Sequence, residues 1–468
     1  MFSLGLKYDL LIEGVKIVCG DSLVDGDIGV KDGRIAMIGL SSPDAQTDLK
    51  ISGRGLIALP GLIDSHVHFR DPGLTHKEDF ESGSMSAAAG GVTSVFDMPN
   101  TVPTVIDVSR LRDKIRCVST KSFVDFGLYG GASEANTEEI NALSKAGVIG
   151  FKTFMVGPST PNSPEYEGIV SVGEVGLLKT MEATSKTGVV HAVHAEDGEL
   201  VSFFTERLRA AGRLDPEAHY DSRPNMVEAL AVERAIAFAE RTGVRLHLVH
   251  VSTREALECV RRAKARGVRV TCETCPQYLL LTKKDLERFG AYAKFNPPAR
   301  GQEDVSSLVA GLKDGSVDIL VTDHAPHTKD EKEAGRTVIW NAPSGTPGVE
   351  TRLPIVFTMA QAWGLNYTDI ARLCSRSVAK IFGLGSRKGS LLVGFDADVV
   401  LVDPHAEYAL KASELHTKAW ETFLFDGMKV RGRVMFTIVR GSVVYQYGVG
   451  FTSKPAGSFI PGPMFMGG

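Results

Sequence analysis

The sequence predicts an α/β fold, a (β/α)8 TIM-type barrel carrying a small β-sandwich domain formed by both chain ends. Three observations predict it. Short apolar, β-branched runs alternate with helix-like stretches through the middle of the chain. Eight such runs can be counted, the number that closes into a barrel. The two ends differ from this middle, with short alternating strands separated by Asp-Gly and Gly turns.

From the N-terminus, YDLLIEGVKIVCGDSLVDGDIGVKDGRIAMIG has the β texture. The barrel strands follow as GLIALPGLIDSHVHF, VTSVFDM, FVDFGLYG, GVIGFKTFM, GVVHAVHAE, VRLHLVHVS, VRVTCETC and VDILVTDH. Their near-continuous apolar character suits parallel strands buried on both faces. Helical patterns lie between them in KEDFESGSMSAAAG, EEINALSKA, VGEVGLLKTMEATSKT, NMVEALAVERAIAFAERT, REALECVRRAKARG and DVSSLVAGLKDG. An open doubly wound sheet is the alternative, but no Gly-rich dinucleotide turn follows the first strand. The β texture returns in LLVGFDADVVLVD and RVMFTIVRGSVVYQ. The expected division is a small β-rich domain from residues 1–57 and 386–450, a barrel over 58–385, and an irregular tail over 451–468.

Composition narrows the function classes. Charged residues make up 23% and apolar ones 43% of 468 residues, as in an ordinary globular protein. A net charge of -4 offers no electrostatic reason to expect nucleic acid or an anionic membrane as partner. The sequence opens without a basic stretch and apolar core, and no run of 18 apolar residues occurs. Six cysteines in so long a chain do not make a disulfide framework, so a reducing, cytoplasmic setting is expected. Cys272 and Cys275 form one C-x-x-C with no second pair, which is read as coincidence.

The chemistry concentrates in DSHVHFRDPG, residues 64–73. On a strand His66, His68 and Arg70 would point the same way. Two imidazoles roughly 6.6 Å apart at the backbone can lean onto one ion about 2.1 Å from each nitrogen. A pair of core histidines is the plainer reading, but it leaves two rings and a guanidinium each needing a partner. Other polar residues join them at the strand ends, the rim where barrel chemistry sits. Lys152 lies on the fourth strand, His191 and His194 on the fifth, His247 and His250 on the sixth, and Asp323 closes the eighth. Residues three apart on a strand face opposite sides, so His194 and His250 are assigned to the site. His191 and His247 are expected to pack under the helices.

Four histidines and an aspartate on one rim point to a metal site, because buried groups of this kind need compensation. Nitrogen and oxygen ligands without thiolate suit Zn2+ best, with Mn2+, Fe2+ or Co2+ as alternatives. The ligands exceed what one tetrahedral ion needs, which points to two ions. Lys152, desolvated in a barrel, would have a depressed pKa and a free amine able to attack CO2. An ion pair with Asp323 is the alternative for that lysine.

From DLLIEGVKIV through LPGLIDSHVHFRDPG to TIVRGSVVY the chain resembles the amidohydrolase superfamily, in its dihydroorotase, hydantoinase and allantoinase branch. The resemblance implies that Lys152 carries a CO2-derived carbamate bridging two divalent metal ions. It implies that His66, His68 and Asp323 hold the first ion and His194 and His250 the second. It further implies a hydroxide between the ions as nucleophile on a cyclic amide, with Asp323 as the catalytic general base and acid.

Substrate contacts separate the members of the branch. Dihydroorotate carries a carboxylate, whereas hydantoins and allantoin do not, so only the first calls for a cationic clamp. Arg70 can bind a carboxylate bidentately; its plainer role is an ion pair with Asp71 or Glu78. Asn100 in DMPNT, Asn296 in KFNPPAR and His327 in DHAPH match the dihydroorotase pattern as substrate-binding residues, with His68 beside them. Ser344 and Gly345 in APSGTPG match its substrate loop, Ser344 replacing a bulkier residue. The implied activity is reversible hydrolysis of (S)-dihydroorotate to N-carbamoyl-L-aspartate in pyrimidine biosynthesis. A hydantoinase, dihydropyrimidinase or allantoinase is the alternative, and a non-catalytic structural relative the distant one. A small-molecule substrate is the expected partner, with a homodimer as default. Association with aspartate transcarbamoylase is known for some members of the family. GPSTPNSPEYEG after Lys152 is expected as a surface loop, with a lid over the site as the alternative.

Overall fold

The computed structural model describes residues 7–160, 163–452 and 454–466. Five strands open the chain: β1 (Tyr8–Cys19), β2 (Ser22–Lys31), β3 (Arg34–Gly39), β4 (Thr47–Ser52) and β5 (Ile57–Pro60). Eight more follow as β6 (Leu62–Val67), β7 (Val92–Asp97), β8 (Asp125–Gly131), β9 (Gly150–Phe154), β10 (Val190–His194), β11 (Arg245–Leu248), β12 (Val270–Thr274) and β13 (Ile319–Leu320). The last four are β14 (Val399–Ala409), β15 (Lys429–Val439), β16 (Ser442–Gln446) and β17 (Gly450–Phe451).

Strands β6 to β13 pair in chain order into one eight-stranded sheet, parallel throughout. A parallel bridge between Val67 and His324 joins the last strand's extension to the first, and His68 N–H donates to His324 O at 2.8 Å. That contact closes the barrel at its catalytic end. Helices fill the crossovers, and four of them start on a capping side chain. Asp79, Asp107, Asp197 and Thr253 each accept a backbone N–H at the start of the following helix, each worth about 1 kcal/mol. The pattern NMVEALAVERAIAFAERT forms the helix Asn225–Thr242 as expected, and Gly243 ends it in a left-handed turn.

Both termini build the second unit. Its nine strands form one mixed sheet ordered β17-β16-β15-β14-β5-β1-β2-β3, with β4 pairing β1. Strand β5 is the seam, pairing β14 antiparallel and β1 parallel. Leu10, Ile12, Ile17 and Ile28 from the N-terminal part share a core with Val399, Leu401 and Ile438 from the C-terminal part. Neither end could bury these side chains alone.

The C-terminal tail is irregular in backbone yet tied down. Phe126 N–H donates to Ser458 O and Ile460 N–H to Phe126 O, at 3.0 and 2.7 Å. At Gly462 a Cβ would fall 2.0 Å from Val148 O, so only glycine permits this approach. All six cysteines are free thiols; burial pushes Cys272 up to about 12, and its Sγ donates to Ser316 O at 3.2 Å. Among the described residues no helix is long and apolar enough to cross a membrane.

Candidate metal centre and substrate cavity

Strand alternation carries only His66 to the site. β6 ends at Val67, so His68 and Arg70 lie past it. His68 is held by its bond to His324 O, and Arg70 turns inward through a left-handed backbone, φ 62°. His250 (φ 38°) lies two residues past β11 and Asp323 (φ 50°) three past β13. These are three of the five described non-glycine residues with positive φ. Each costs on the order of 1–3 kcal/mol, and such strain persists where the surrounding structure holds it for function.

The expected division of the histidine pairs needs one correction. His191 does face away from the barrel axis, bonding Thr153 Oγ1 at 2.8 Å. His247 does not pack under the helices. It is in register with Ala192, which is in register with Lys152, so these residues share one face of the parallel sheet. His247 and His250 both point inward because the left-handed residue at 250 breaks the alternation.

The site residues converge on one cavity. His66 Nε2 and His68 Nε2 each lie 3.3 Å from Asp323 Oδ1, and one ligand atom from each of the three lies within 4.8 Å of the others. The His194 and His250 rings stack edgewise at 4.5 Å, and His250 lies 5.4 Å from His66. Lys152 is fully buried beneath them, its Nζ 4.8 Å above the Phe154 ring. Neither Lys152 Nζ nor His250 Nδ1 has a hydrogen-bond partner among the described residues, and no ion pair joins Lys152 to Asp323 there. Burial pulls Lys152 down to about 8, which leaves a useful fraction of free amine near neutrality. Burial likewise lowers His68 to about 3 and His250 well below its usual value. Neutral imidazoles are the ligand form. Neutral rings, a carboxylate and two buried nitrogens without partners form a donor set that fits divalent ions and a lysine open to CO2.

Three residues hold the far side of these rings, and the sequence reading missed two of them, Glu273 and Glu196. Glu273 Oε1 accepts from His66 Nδ1 and its Oε2 from His247 Nε2 at 3.0 Å. Glu196 Oε2 accepts from His194 Nε2 at 2.7 Å and from Arg223 Nη1 at 2.5 Å. Asn100 Oδ1 accepts from His68 Nδ1 at 2.8 Å. Each bond fixes a tautomer and aims the opposite nitrogen at the site. Glu273 was visible in VTCET as a carboxylate inside a buried strand. Glu196 stands two residues past His194.

On the substrate side Arg70, Asn100, Asn296, Ser344 and Gly345 line the same cavity as His66, His68 and Asp323. Asn296 Nδ2 donates to Ser159 Oγ at 2.8 Å, and Ser344 Oγ donates to Asn296 Oδ1 at 3.2 Å. Gly345 (φ 145°) passes so close to Ala325 that a Cβ would meet its carbonyl at 2.3 Å. Phe154, Ser159 and Tyr166 also line the cavity, so the segment after Lys152 forms part of its wall. Residues 161 and 162 of that segment lie outside the described residues. His327 stands beside two lining residues, with Nε2 3.2 Å from both Arg70 Nη2 and Ser344 O. Neither plainer partner takes Arg70. Asp71 bonds Lys121, and Glu78 bonds Thr417 and Ser82. Arg70 is 5% exposed, and no carboxylate pairs with it among the described residues.

Comparison with known proteins gives three findings. The amidohydrolase family model matches residues 57–444. A dihydroorotase of Methanosarcina acetivorans is 36% identical, covering 97% of this chain and 96% of that protein, and an allantoinase of Bacillus velezensis is 37% identical over 97% and 98%. Among solved structures, the L-hydantoinase (dihydropyrimidinase) of Arthrobacter aurescens superposes with a TM-score of 0.92 at 33% identity, covering 97% of this chain and all of that one.

Proposed function

The chain belongs to the amidohydrolase family, and from that premise we propose that this cyclic amidohydrolase acts on an anionic ring, as a dihydroorotase. The observation that carries this reading is Arg70, a buried guanidinium at the cavity wall with no carboxylate partner among the described residues. A buried cation without compensation costs several kcal/mol unless a ligand supplies the counter-charge. The carboxylate of dihydroorotate supplies it; hydantoin and allantoin have none.

In this proposal His66, His68 and Asp323 would hold one divalent ion, best Zn2+, and His194 and His250 a second, with a carboxylated Lys152 as a further ligand. Bound there, the ions would supply a water-derived nucleophile at neutral pH and Lewis acidity toward a carbonyl. The protein's own groups do the rest. Arg70 takes the substrate carboxylate, with Asn100 Nδ2 free to donate because its Oδ1 is committed to His68. Asn296 and Ser344 orient the ring amide from the opposite wall. Asp323 receives the proton of the attacking water and returns it to the ring nitrogen as the C–N bond breaks. A carboxylate and a ureido group result.

A second reading rests on the comparisons, since allantoinase and hydantoinase relatives are as similar as the dihydroorotases. Steady-state turnover of the purified metalloenzyme on dihydroorotate, hydantoin and allantoin decides between them. Dihydroorotate is expected to be the best substrate; inert dihydroorotate beside an active hydantoin or allantoin overturns the proposal.

A further inference from the structure

A second cavity of about 330 Å3 lies directly behind the wall of the first. The two share Val156, Gly157 and Ser159, so one short segment separates them. This annex is cationic. Lys294 is 2% exposed, and its Nζ donates only to the carbonyls of Ile339 and Ala342, at 2.9 and 2.6 Å. Arg209, on the helix Gly198–Ala210, stacks on the Trp340 ring at 5.3 Å and makes no ion pair among the described residues. Arg223 lines the annex too, with its charge met by Glu196. Among the described residues Glu206 is the carboxylate on the annex wall, and it forms no ion pair with Arg209. His219 adds no charge, because burial holds it well below its usual value and its Nε2 faces Phe295 O at 3.0 Å. The balance is positive, and two of the cations lack a protein anion. Burial, together with Arg223 and Arg209, pulls the Lys294 ammonium down to about 7, the expected strain on a cation waiting for its counter-ion.

We propose that the annex is a second binding station for a small carboxylate, the ring-opened product on its way out of the catalytic cavity. Hydrolysis of any cyclic amide turns a neutral ring carbonyl into a carboxylate. The product therefore carries one more negative charge than the substrate, and the annex selects for that difference. Size agrees, since 330 Å3 is within the range of small-molecule pockets. Arg223 links the stations: the Glu196 that neutralises it also orients His194 in the catalytic cavity. The inference rests on cyclic amide hydrolysis alone, so it is independent of which ring is opened.

The test is product inhibition of the holoenzyme, using whichever cyclic amide it opens and the corresponding N-carbamoyl acid. A product that binds while substrate fills the catalytic cavity gives mixed inhibition. Arg209→Glu, at an exposed helix position, should weaken the non-competitive component about fivefold or more, with initial kcat and KM unchanged. Lys294→Met, which removes the buried charge, should weaken it as well. Purely competitive inhibition of the native enzyme, or the same mixed component in both variants, overturns the proposal. If no cyclic amide is turned over, the activity reading fails on its own. The annex is then tested by calorimetric titration of N-carbamoyl-aspartate into the native protein and Arg209→Glu, where equal affinities overturn it.

Discussion

Glu273 spans two imidazoles inside the barrel, receiving His66 Nδ1 on one carboxylate oxygen and His247 Nε2 on the other at 3.0 Å. It is fully buried. Replacing it by Gln keeps the shape but removes the charge that fixes the His66 tautomer. Glu273→Gln should lower affinity for the ions roughly 10- to 100-fold, measured by metal titration of the apoprotein. Unchanged affinity would show that Glu273 serves packing alone.

Arg70 acts on substrate rather than on the ions. Arg70→Met should leave metal content at the native value. A buried charge-assisted contact is worth about 1.5–3 kcal/mol, so KM for dihydroorotate should rise roughly 10- to 150-fold. Kinetics on dihydroorotate together with metal analysis check both halves, and an unchanged KM refutes the clamp.

Lys152 is fully buried, and its Nζ has no hydrogen-bond partner among the described residues. Intact-protein mass should exceed the sequence mass by one CO2 when the protein is kept in bicarbonate, and Lys152→Ala should lose that increment. The variant should also bind fewer ions and lose activity, since the side chain of alanine can bridge nothing.

Lys388 joins the small domain to the barrel. Its Nζ lies 2.8 Å from Asp125 on β8, 3.2 Å from Asp396 and 2.5 Å from Asp398, all buried. The three aspartates could be mistaken for a metal site, but the ammonium already occupies the centre. Lys388→Met leaves three buried carboxylates facing one another, with Arg387 on Asp396 and Arg440 on Asp125 as the remaining cations. Loss of one partner of a buried ion pair costs roughly 3–5 kcal/mol, so urea unfolding should shift strongly while activity of the folded fraction persists.

His416 gives the pH dependence. Burial alone would lower its pKa, but the hydrogen bond to Glu350 at 3.0 Å and that carboxylate's charge raise it above its ordinary value. A raised folded pKa stabilises the fold fully below the unfolded value, about 6.5. That contribution is lost as pH rises through the folded value. The stability difference between the native protein and His416→Gln should therefore be largest in mild acid and shrink toward alkaline pH. A difference that grows with pH contradicts the pairing.

The barrel is legible in the sequence where a rule is local. Apolar runs such as VTSVFDM and the long amphipathic stretch NMVEALAVERAIAFAERT became β7 and the helix Asn225–Thr242, because hydrophobic period is a property of neighbouring residues. The convergence of His66, His68, Lys152, His194, His250 and Asp323 was legible for the same reason, with Lys152 inside β9 and the others at or just past a strand end. Alternation then failed at His250 and at Arg70, where left-handed backbone past the end of a strand redirects the side chain. His327 followed the family pattern into the neighbourhood, where its ring stands beside Arg70 and Ser344.

By itself the sequence determined the kind of fold, the donor types gathered on the rim and the presence of an arginine among them, since these follow from composition and short-range period. Only the tertiary structure decided that Glu273 and Glu196 aim the histidines, that Arg70 has no protein anion, that β5 joins the two chain ends, and that a cationic annex backs the site. Apart from the Glu196–His194 contact, these depend on groups far apart in the chain, as Glu273 and His66 are, and on which charges burial leaves uncompensated. Pairing over such distances leaves no periodic trace in the chain, because it is set by the closure of the barrel and not by any residue's neighbours.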